Sequence, residues 1–267
     1  MAYDTLIQCY YATANRFDLL RFLVIGSRVL EHSQIPIIIN NRNRLTFLRT
    51  QIESLRSRGY SNITVLDNDS TYPPLLEFYK SAPCRVIFLG KNLGFDALAK
   101  IDLYRIVRRN FYVYTDPDVV PIDECPGNFL EVFRDILLRH KEIQKVGFSL
   151  KIDDLPDHYQ AKDDVIAWER KYFNNPVDDI LFLAPIDTTF ALHRPYARIG
   201  TRGGLRMYRT GYPYTARHLP WYVDSTNLQE EERFYIETVE IGTHWTKGIR
   251  LEDGYVKSLI RRLMRWK

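Results

Sequence analysis

The feature that most constrains this chain is a series of four short apolar runs, each closed by polar residues and separated by helical patterns. The runs are rich in β-branched and aromatic residues, as is typical of strands buried on both faces of a sheet. They cover residues 36–40, 62–67, 85–89 and 111–115. Because parallel strands need a crossover connection, the alternation predicts an α/β fold with a doubly wound, mostly parallel sheet.

Apolar residues at helical spacing lie between the runs. Leu45, Leu48, Ile52 and Leu55 recur every three or four positions before Gly59. The next two helices are predicted over residues 75–80 and 96–109.

Each predicted strand leaves polar side chains at its carboxyl end. The right-handed crossover rule places these ends on one edge of the sheet, where open α/β sheets bind ligands. So many polar groups would be costly without a ligand, and the pattern therefore predicts a nucleotide-type site. The residues are Asn40, Arg42 and Arg44; Asp67, Asn68 and Ser70; Lys91, Asn92 and Gly94; and Asp116 and Asp118.

The fourth strand ends in two carboxylates, Asp116 and Asp118, separated by Pro117. Proline lacks an N–H, so regular sheet pairing is expected to stop there. Hard cations such as Mg²⁺ and Mn²⁺ prefer carboxylate oxygens together with the phosphates of a ligand. For the tripeptide alone, a surface turn is the plain alternative, because Asp and Pro are common turn residues.

Composition and missing motifs narrow the function classes. The chain has 37 basic and 33 acidic residues, a net charge of +4 that does not by itself indicate nucleic-acid binding. Neither a dinucleotide-binding glycine fingerprint nor a Walker A loop is present. The three cysteines are scattered, which argues against a zinc site and is typical of a reducing compartment. Without a transmembrane run or a secretory signal pattern, the sequence predicts a cytoplasmic protein.

Over roughly residues 35–125, the order and spacing of these motifs resemble GT-A fold glycosyltransferases, most of all the family 2-like sugar transferases of bacterial surface polysaccharide synthesis. The matching motifs are the Asn/Arg turn, the Asp67-Asn-x-Ser segment, the Asn92-x-Gly segment and the Asp116-x-Asp turn. The chain departs from the family in two ways. The residues after Gly94 are not small, and the Glu-Asp pair of inverting family 2 enzymes is missing.

The resemblance implies a role for each matching residue. Asp67 would accept a hydrogen bond from a uracil base, and the two aspartates of the turn would hold Mn²⁺ or Mg²⁺ on the diphosphate. Some GT-A enzymes complete the metal site with a C-terminal histidine, so that His218 and His244 compete for this role, with an ordinary histidine as the alternative. The implied nucleotide contacts are Asn40, Arg42, Asp67, Asn68, Asn92, Gly94 and Asp116, and the implied metal ligands are Asp116, Asp118, His244 and His218.

Candidates for catalysis come from the second half. Asp187 is the only charge in the apolar run 181–192, where a lone carboxylate is costly unless it is paired, bound or used. Partial burial would raise its pKa and suit a general base for a sugar hydroxyl, whereas a structural Asp bonded to nearby threonines is the alternative. Asp224 is the second candidate for the base. Acceptor or sugar contacts are predicted for Asp153, Asp154, Trp221 and Tyr222.

Four further segments carry predictions. Residues 202–214 are predicted to form an irregular functional loop in which Arg206 or Arg209 meets phosphate. Trp168 is predicted to be core, with a stacking platform for a ligand as the alternative, and residues 230–235 are predicted to form a solvated polar helix. The segment 251–267 has the pattern of a basic amphipathic helix for an anionic membrane surface, with a protein partner as the alternative.

The sequence thus predicts one GT-A domain over 1–267. Residues 35–125 would form a Rossmann-like nucleotide-sugar-binding half, 126–250 an acceptor and catalytic half, and 251–267 a basic tail. The predicted function is that of a metal-dependent hexosyltransferase, which moves a sugar from a nucleotide sugar, by preference a UDP-sugar, to a glycan or lipid-linked acceptor in polysaccharide, lipopolysaccharide or capsule synthesis. The alternatives are a nucleotidyltransferase that makes nucleotide sugars, and an inactive sugar- or nucleotide-binding module.

Overall fold

The computed structural model describes residues 2–25, 31–186, 189–200 and 206–239. Asp187, His244 and the tail over 251–267 lie outside these residues. The described helices are α1 (Ala2–Ile25), α2 (Thr46–Ser57), α3 (Pro73–Tyr79), α4 (Leu103–Val107), α5 (Phe129–Arg139), α6 (Lys162–Arg170) and α7 (Glu230–Thr238). The described strands are β1 (Ile37–Asn41), β2 (Ile63–Asp67), β3 (Arg85–Phe88), β4 (Tyr112–Thr115), β5 (Val119–Pro121), β6 (Lys145–Leu150), β7 (Leu181–Leu183), β8 (Ala191–His193) and β9 (Met207–His218).

The strands form one sheet in the order β3-β2-β1-β4-β8-β6-β9-β5, with β7 also paired to β9. Strands β1 to β4 are parallel to their neighbours in this group, which makes the first half of the sheet Rossmann-like. The antiparallel pairs among the described strands lie in the other half of the sheet. There β8 pairs with β4 and β6, and β9 pairs with β5 and β7. The predicted α/β fold class is confirmed.

Apolar side chains cover both faces of the sheet, as the continuous apolar strands predict. Ile37 and Ile39 of β1 belong to the larger core cluster, where α2 and α5 pack, and Ile38 between them belongs to a second cluster. All three isoleucines are at most 1% exposed. Each such burial contributes about 1.5–3 kcal/mol, so β1 anchors the sheet and fixes the positions of the polar residues that follow it.

Two predicted elements are interrupted. The predicted helix over 96–109 is a 3-10 turn, Ala97–Lys100, followed by the short α4. Ile101 between them is extended and packs against the second cluster, so tertiary packing overrides helix propensity. The apolar run over 181–192 supplies two separate short strands, β7 and β8, rather than one.

The predicted irregular loop over 202–214 was wrong where the structure describes it, because residues from Met207 onward form the long strand β9. The glycine and proline that suggested a loop lie in a bulge. Phe148 pairs with Thr210 and Ser149 pairs with Thr215, so residues 211–214 are extra residues on β9. The Thr210 hydroxyl donates to the Tyr214 carbonyl at 2.7 Å and closes the bulge.

Two predictions of exposure were also wrong. Trp168 is 52% exposed and lies beside the Lys171 ammonium rather than in the core. Helix α7 is not simply solvated, since Glu231 is only 8% exposed and binds α2. Within the described ranges, no helix combines the length and apolar content that crossing a bilayer requires.

Candidate functional site

The Asp116-Pro-Asp118 turn lies at the carboxyl edge of the sheet, between β4 and β5. Gln51 of α2 binds the backbone of this turn. This side chain is fully buried, and its Nε2 donates to the carbonyl oxygens of Asp116 at 2.9 Å and Val119 at 2.8 Å. Sequence reasoning missed Gln51, although a polar residue within the apolar stripe of α2 is a signal for such a role.

The second carboxylate of the turn has an unsatisfied oxygen. Asp118 Oδ1 is buried, and no described residue donates a hydrogen bond to it. Asp118 Oδ2 lies 3.7 Å from His218 Nε2, at the end of β9. Burial lowers the pKa of His218, Asp118 opposes this shift, and Arg44 adds to it, so the ring is neutral at pH 7. A neutral imidazole can bind a metal ion through a ring nitrogen.

Asp67 provides the second unsatisfied carboxylate oxygen of this edge. The residue is 3% exposed. Its Oδ1 accepts from the Ser70 backbone N–H at 3.1 Å, whereas Oδ2 is buried and no described donor lies within hydrogen-bond geometry of it. The buried Tyr79 hydroxyl is the neighbouring group, and the Asp67 carboxylate adds to the burial that raises the pKa of Tyr79. A buried carboxylate oxygen without a donor is costly, so this position suits an N–H group of a ligand.

Asn40 and Asn68 hold the loop after β3. The Nδ2 groups of both residues donate to the Gly94 carbonyl, at 3.2 and 3.0 Å, and Asn68 Oδ1 accepts from the Leu93 N–H at 2.7 Å. Asn92 acts locally, since its Oδ1 accepts from the Gly94 N–H at 3.0 Å. Gly94 has φ +83°, which explains the glycine there. The predicted convergence of the first three strand ends is confirmed by these contacts.

Asn43 links the turn after β1 to the turn after β2. Its Oδ1 accepts from the Thr71 N–H at 2.7 Å, and its own N–H donates to Ser70 Oγ at 3.0 Å. Its Nδ2 reaches Thr238 Oγ1 in α7 at 3.0 Å. Arg42 Nη1 donates to the Thr238 carbonyl at 2.9 Å. The end of α7 thus lies over the predicted nucleotide turn.

Arg44 is held by α7 as well. Its guanidinium pairs with Glu232 and lies 3.5 Å from the centre of the Tyr235 ring, on which it stacks. The pKa of Tyr235 is raised, mainly by burial; the Arg44 charge opposes this shift, and the negative charges of Asp118 and Asp116 add to it. Tyr235 therefore belongs to the same electrostatic environment as the Asp-Pro-Asp turn, which no local motif revealed.

Glu231 caps α2 from a distant part of the chain. Its Oε1 accepts from the backbone N–H groups of Leu45 at 2.8 Å and Thr46 at 3.0 Å, and its Oε2 accepts from the Thr46 hydroxyl at 2.7 Å. The helix N-terminus has no side-chain cap of its own. A carboxylate satisfies these N–H groups and interacts favourably with the helix dipole.

We expect Glu231→Ala to lower the free energy of unfolding by about 0.5–2 kcal/mol, because it removes the acceptor of the N–H groups at the start of α2. Glu231→Gln keeps one acceptor oxygen and is expected to cost less. Glu230→Ala, on the exposed side of the same turn, is the matched control. Urea unfolding checks the order; equal midpoints for Glu231→Ala and Glu230→Ala would contradict the assigned cap.

The predicted acceptor residues lie in different environments. Trp221 is fully buried beside His218, so its ring cannot stack on a sugar in this structure, and that prediction is corrected. Asp153 is exposed and pairs with Lys151 at 2.7 Å. Asp154 accepts from Arg217 at 2.7 Å and from the Tyr222 hydroxyl at 2.5 Å. Burial raises the pKa of Asp154, but these two hydrogen bonds outweigh it and the net shift is downward.

Asp224 stabilises a surface turn. Its Oδ1 accepts from the Thr226 hydroxyl at 2.6 Å and from the Thr226 N–H at 2.9 Å. These hydrogen bonds lower the pKa of Asp224. A lowered pKa makes the carboxylate a weaker base, so the environment is better explained by a structural role.

Arg209 does not meet a phosphate. It is 3% exposed, its Nη1 pairs with Glu169 Oε2 at 2.7 Å, and its Nε donates to the Pro185 carbonyl. A buried guanidinium that is committed to a buried carboxylate has no accessible face for a ligand. The notion of Arg209 as a phosphate contact is therefore wrong.

No protein-family model matches the chain, and no curated protein matches it either. Solved structures with some likeness include a cytidylyltransferase from Leptospira borgpetersenii serovar Hardjo-bovis, with 14% identity, a TM-score of 0.32, and coverage of 51% of this chain and 71% of that one. Glucosyl-3-phosphoglycerate synthase from Mycobacterium tuberculosis has 16% identity, a TM-score of 0.37, and coverage of 60% and 57%.

Proposed function

We propose that the protein is a metal-dependent glycosyltransferase that moves a sugar from a nucleotide sugar, by preference a UDP-sugar, to a glycan or lipid-linked acceptor. The observation that carries this proposal is the pair of buried carboxylate oxygens, Asp67 Oδ2 and Asp118 Oδ1, which have no donor among the described residues. Asp67 is the last residue of β2 and Asp118 follows β4, and the carboxyl ends of these parallel strands share one sheet edge. One oxygen suits the N–H of a base, and the other suits a cation on a diphosphate.

The residues present fit Mn²⁺ or Mg²⁺. Among the described residues, no three His, Cys, Asp or Glu side chains come together as a metal site. Such a full set is not required, because Mg²⁺ is usually bound through one or two carboxylates plus substrate phosphates. Asp116 and Asp118 would supply these carboxylates, with His218 beside them. The bound ion would neutralise charge on the departing nucleoside diphosphate.

The proposed function assigns a separate role to each of several residues. Asp67 would accept a hydrogen bond from the base, while Asn40 and Asn68 hold the Gly94 loop beside the proposed nucleotide site. Asp187 remains the proposed base for the acceptor hydroxyl, ahead of Asp224, whose lowered pKa suits a structural role better. An acceptor reaching the second half would meet Asp153 and the edge of Tyr222.

A thermal-shift panel of UDP-, GDP-, CMP- and TDP-sugars, with and without Mn²⁺, tests this function. We expect sugars of one nucleotide class to raise the melting temperature only when the metal ion is present. At a ligand concentration of a hundred times Kd, binding stabilises the folded state by about 2.7 kcal/mol. Asp67→Asn should weaken this shift for the preferred base. A panel without any metal-dependent shift would overturn the proposal.

Product analysis separates the enzyme classes. A glycosyltransferase or a hydrolysing side reaction releases a nucleoside diphosphate from the sugar donor. A nucleotidyltransferase instead releases pyrophosphate from a nucleoside triphosphate and a sugar 1-phosphate. Pyrophosphate formation without nucleoside diphosphate would establish the alternative, and binding without turnover would indicate a binding module.

A further inference from the structure

The first helix presents an apolar surface to the outside of the protein. Apolar residues occur on all sides of α1, but its large exposed apolar side chains lie mostly three, four or seven residues apart and so cluster toward one side. Three consecutive apolar residues widen this surface at the end of the helix. We call it the α1 apolar face; its members, with exposed fractions of 47–83%, are Tyr10, Phe17, Leu20, Leu23, Val24 and Ile25.

The opposite side of α1 attaches the helix to the rest of the protein. Phe22 is 8% exposed and packs edge-on against Phe111, with ring centres 6.4 Å apart. Asp18 pairs with Arg198 at 2.9 Å and with Arg108 at 3.2 Å. These contacts set the rotation of α1 about its axis, so that the α1 apolar face points away from the sheet.

The charges around this face are positive. Arg16 and Arg21 are exposed among these apolar residues, and the Arg21 guanidinium lies 4.5 Å from the centre of the Tyr196 ring. The only acidic residue between positions 8 and 25, Asp18, belongs to the attached side. The segment of α4 and the two residues after it, which contacts α1 through the Arg108 pair, adds exposed Arg105 and Arg109 around a 66% exposed Ile106, with Asp102 lying 3.9 Å from Arg105. Apolar residues flanked by arginines complement a surface that is apolar inside and anionic outside.

We propose that the α1 apolar face lies on an anionic lipid surface. The helix would run parallel to the bilayer, with Phe17 and Leu20 at the boundary between headgroups and acyl chains. Arg16 and Arg21 would reach the lipid phosphates. This contact is independent of the proposed enzymatic activity and of the tail over 251–267.

A second copy of the chain fits the same face less well. A parallel pair of α1 helices would place Arg16 and Arg21 of one copy near the same arginines of the other, and like charges flanking a helical seam are unfavourable. In addition, Leu23, Val24 and Ile25 are spread over about 200° at roughly 100° per residue. That arc is wider than the narrow seam of a coiled coil.

Sedimentation of the full-length chain with lipid vesicles tests this proposal. Binding is expected with mixed phosphatidylcholine and phosphatidylglycerol and much less with phosphatidylcholine alone. Phe17→Ser with Leu20→Ser should weaken binding to mixed vesicles about tenfold or more, because two large apolar side chains are lost. Arg16→Gln should weaken it about fivefold, as expected for one surface cation.

Phe88→Ser and Arg85→Gln are the matched controls, since both residues are exposed on strand β3, and these variants should bind like the wild type. Circular dichroism verifies that each variant is folded. Wild-type binding by both the apolar and the Arg16 variants would overturn the proposal and assign the contact to another segment. Absence of vesicle binding, or a dimer in light scattering that the apolar substitutions dissolve, would overturn it as well.

Discussion

Replacing Asp118 with asparagine is expected to reduce metal-dependent donor turnover on the order of 10²-fold or more, the scale at which a group that stabilises developing charge acts. The substitution keeps the shape of the side chain and removes the charge that would hold the cation. Turnover is measured as release of nucleoside diphosphate over a range of Mn²⁺ concentrations. We expect the loss to be accompanied by a weaker dependence on Mn²⁺.

The same substitution should not destabilise the protein. Asp118 Oδ1 is buried without a donor among the described residues, so removing the charge relieves a desolvation cost. The melting temperature of the variant without ligand is expected to equal or exceed that of the wild type. Such a gain is common when a strained functional residue is replaced. Asp123→Asn, at an exposed position after β5, is the matched control and should keep full turnover. If Asp118→Asn keeps wild-type turnover, the assigned metal site is wrong.

Gln51→Met is expected to lower turnover by about 10²-fold although Gln51 touches no substrate. The methionine keeps the volume but loses the N–H groups that bind the carbonyl oxygens of Asp116 and Val119. Displacing catalytic groups by about 1 Å is enough for such a loss. The free energy of unfolding should fall by about 1–3 kcal/mol, because two acceptors lose their donor. Loss of Gln51 Oε1, which itself has no described partner, offsets part of this cost.

Ile52→Val separates positioning from general destabilisation. Ile52 lies next to Gln51 in α2 and is 1% exposed, and its truncation costs about 0.5–1.5 kcal/mol without touching the turn. We expect this variant to retain its turnover at a temperature well below its melting point. Similar activity losses in Gln51→Met and Ile52→Val would show that helix stability, and not the position of the turn, is the cause.

The first half of the fold could be predicted because its signals are local. Ile37, Ile38 and Ile39 alternate between the two core clusters, and that burial follows directly from a short apolar run. The second half was less predictable, since β9 contains a bulge in which Gly211 and Pro213 imitate a loop. The pairing of β9 with β6 on both sides of this bulge, together with its pairing with β7 and β5, makes the segment a strand.

The sequence indicated which residues lie at the sheet edge, but it did not indicate which side chains are buried or paired there. Asp67, Asn68 and Gly94 converge as the motif order indicated. By contrast, the burial of Trp221 and the pairing of Arg209 with Glu169 depend on residues far away in the chain. A dense aromatic–polar stretch looks the same in sequence whether it faces a ligand or the core.

The sequence by itself determined the parallel α/β half and the sheet edge at which its polar residues gather, because strand direction and crossover handedness leave few choices. Tertiary structure decided which of these residues remain available to a ligand. Arg44 is taken by Glu232, 188 residues later, and the turn of Asp116 is held by Gln51, 65 residues earlier. Asp67 Oδ2 and Asp118 Oδ1 have no such partner among the described residues. Hydrogen-bond partners are chosen by proximity in space, so a buried polar atom can be recognised as available only once its neighbours have been placed.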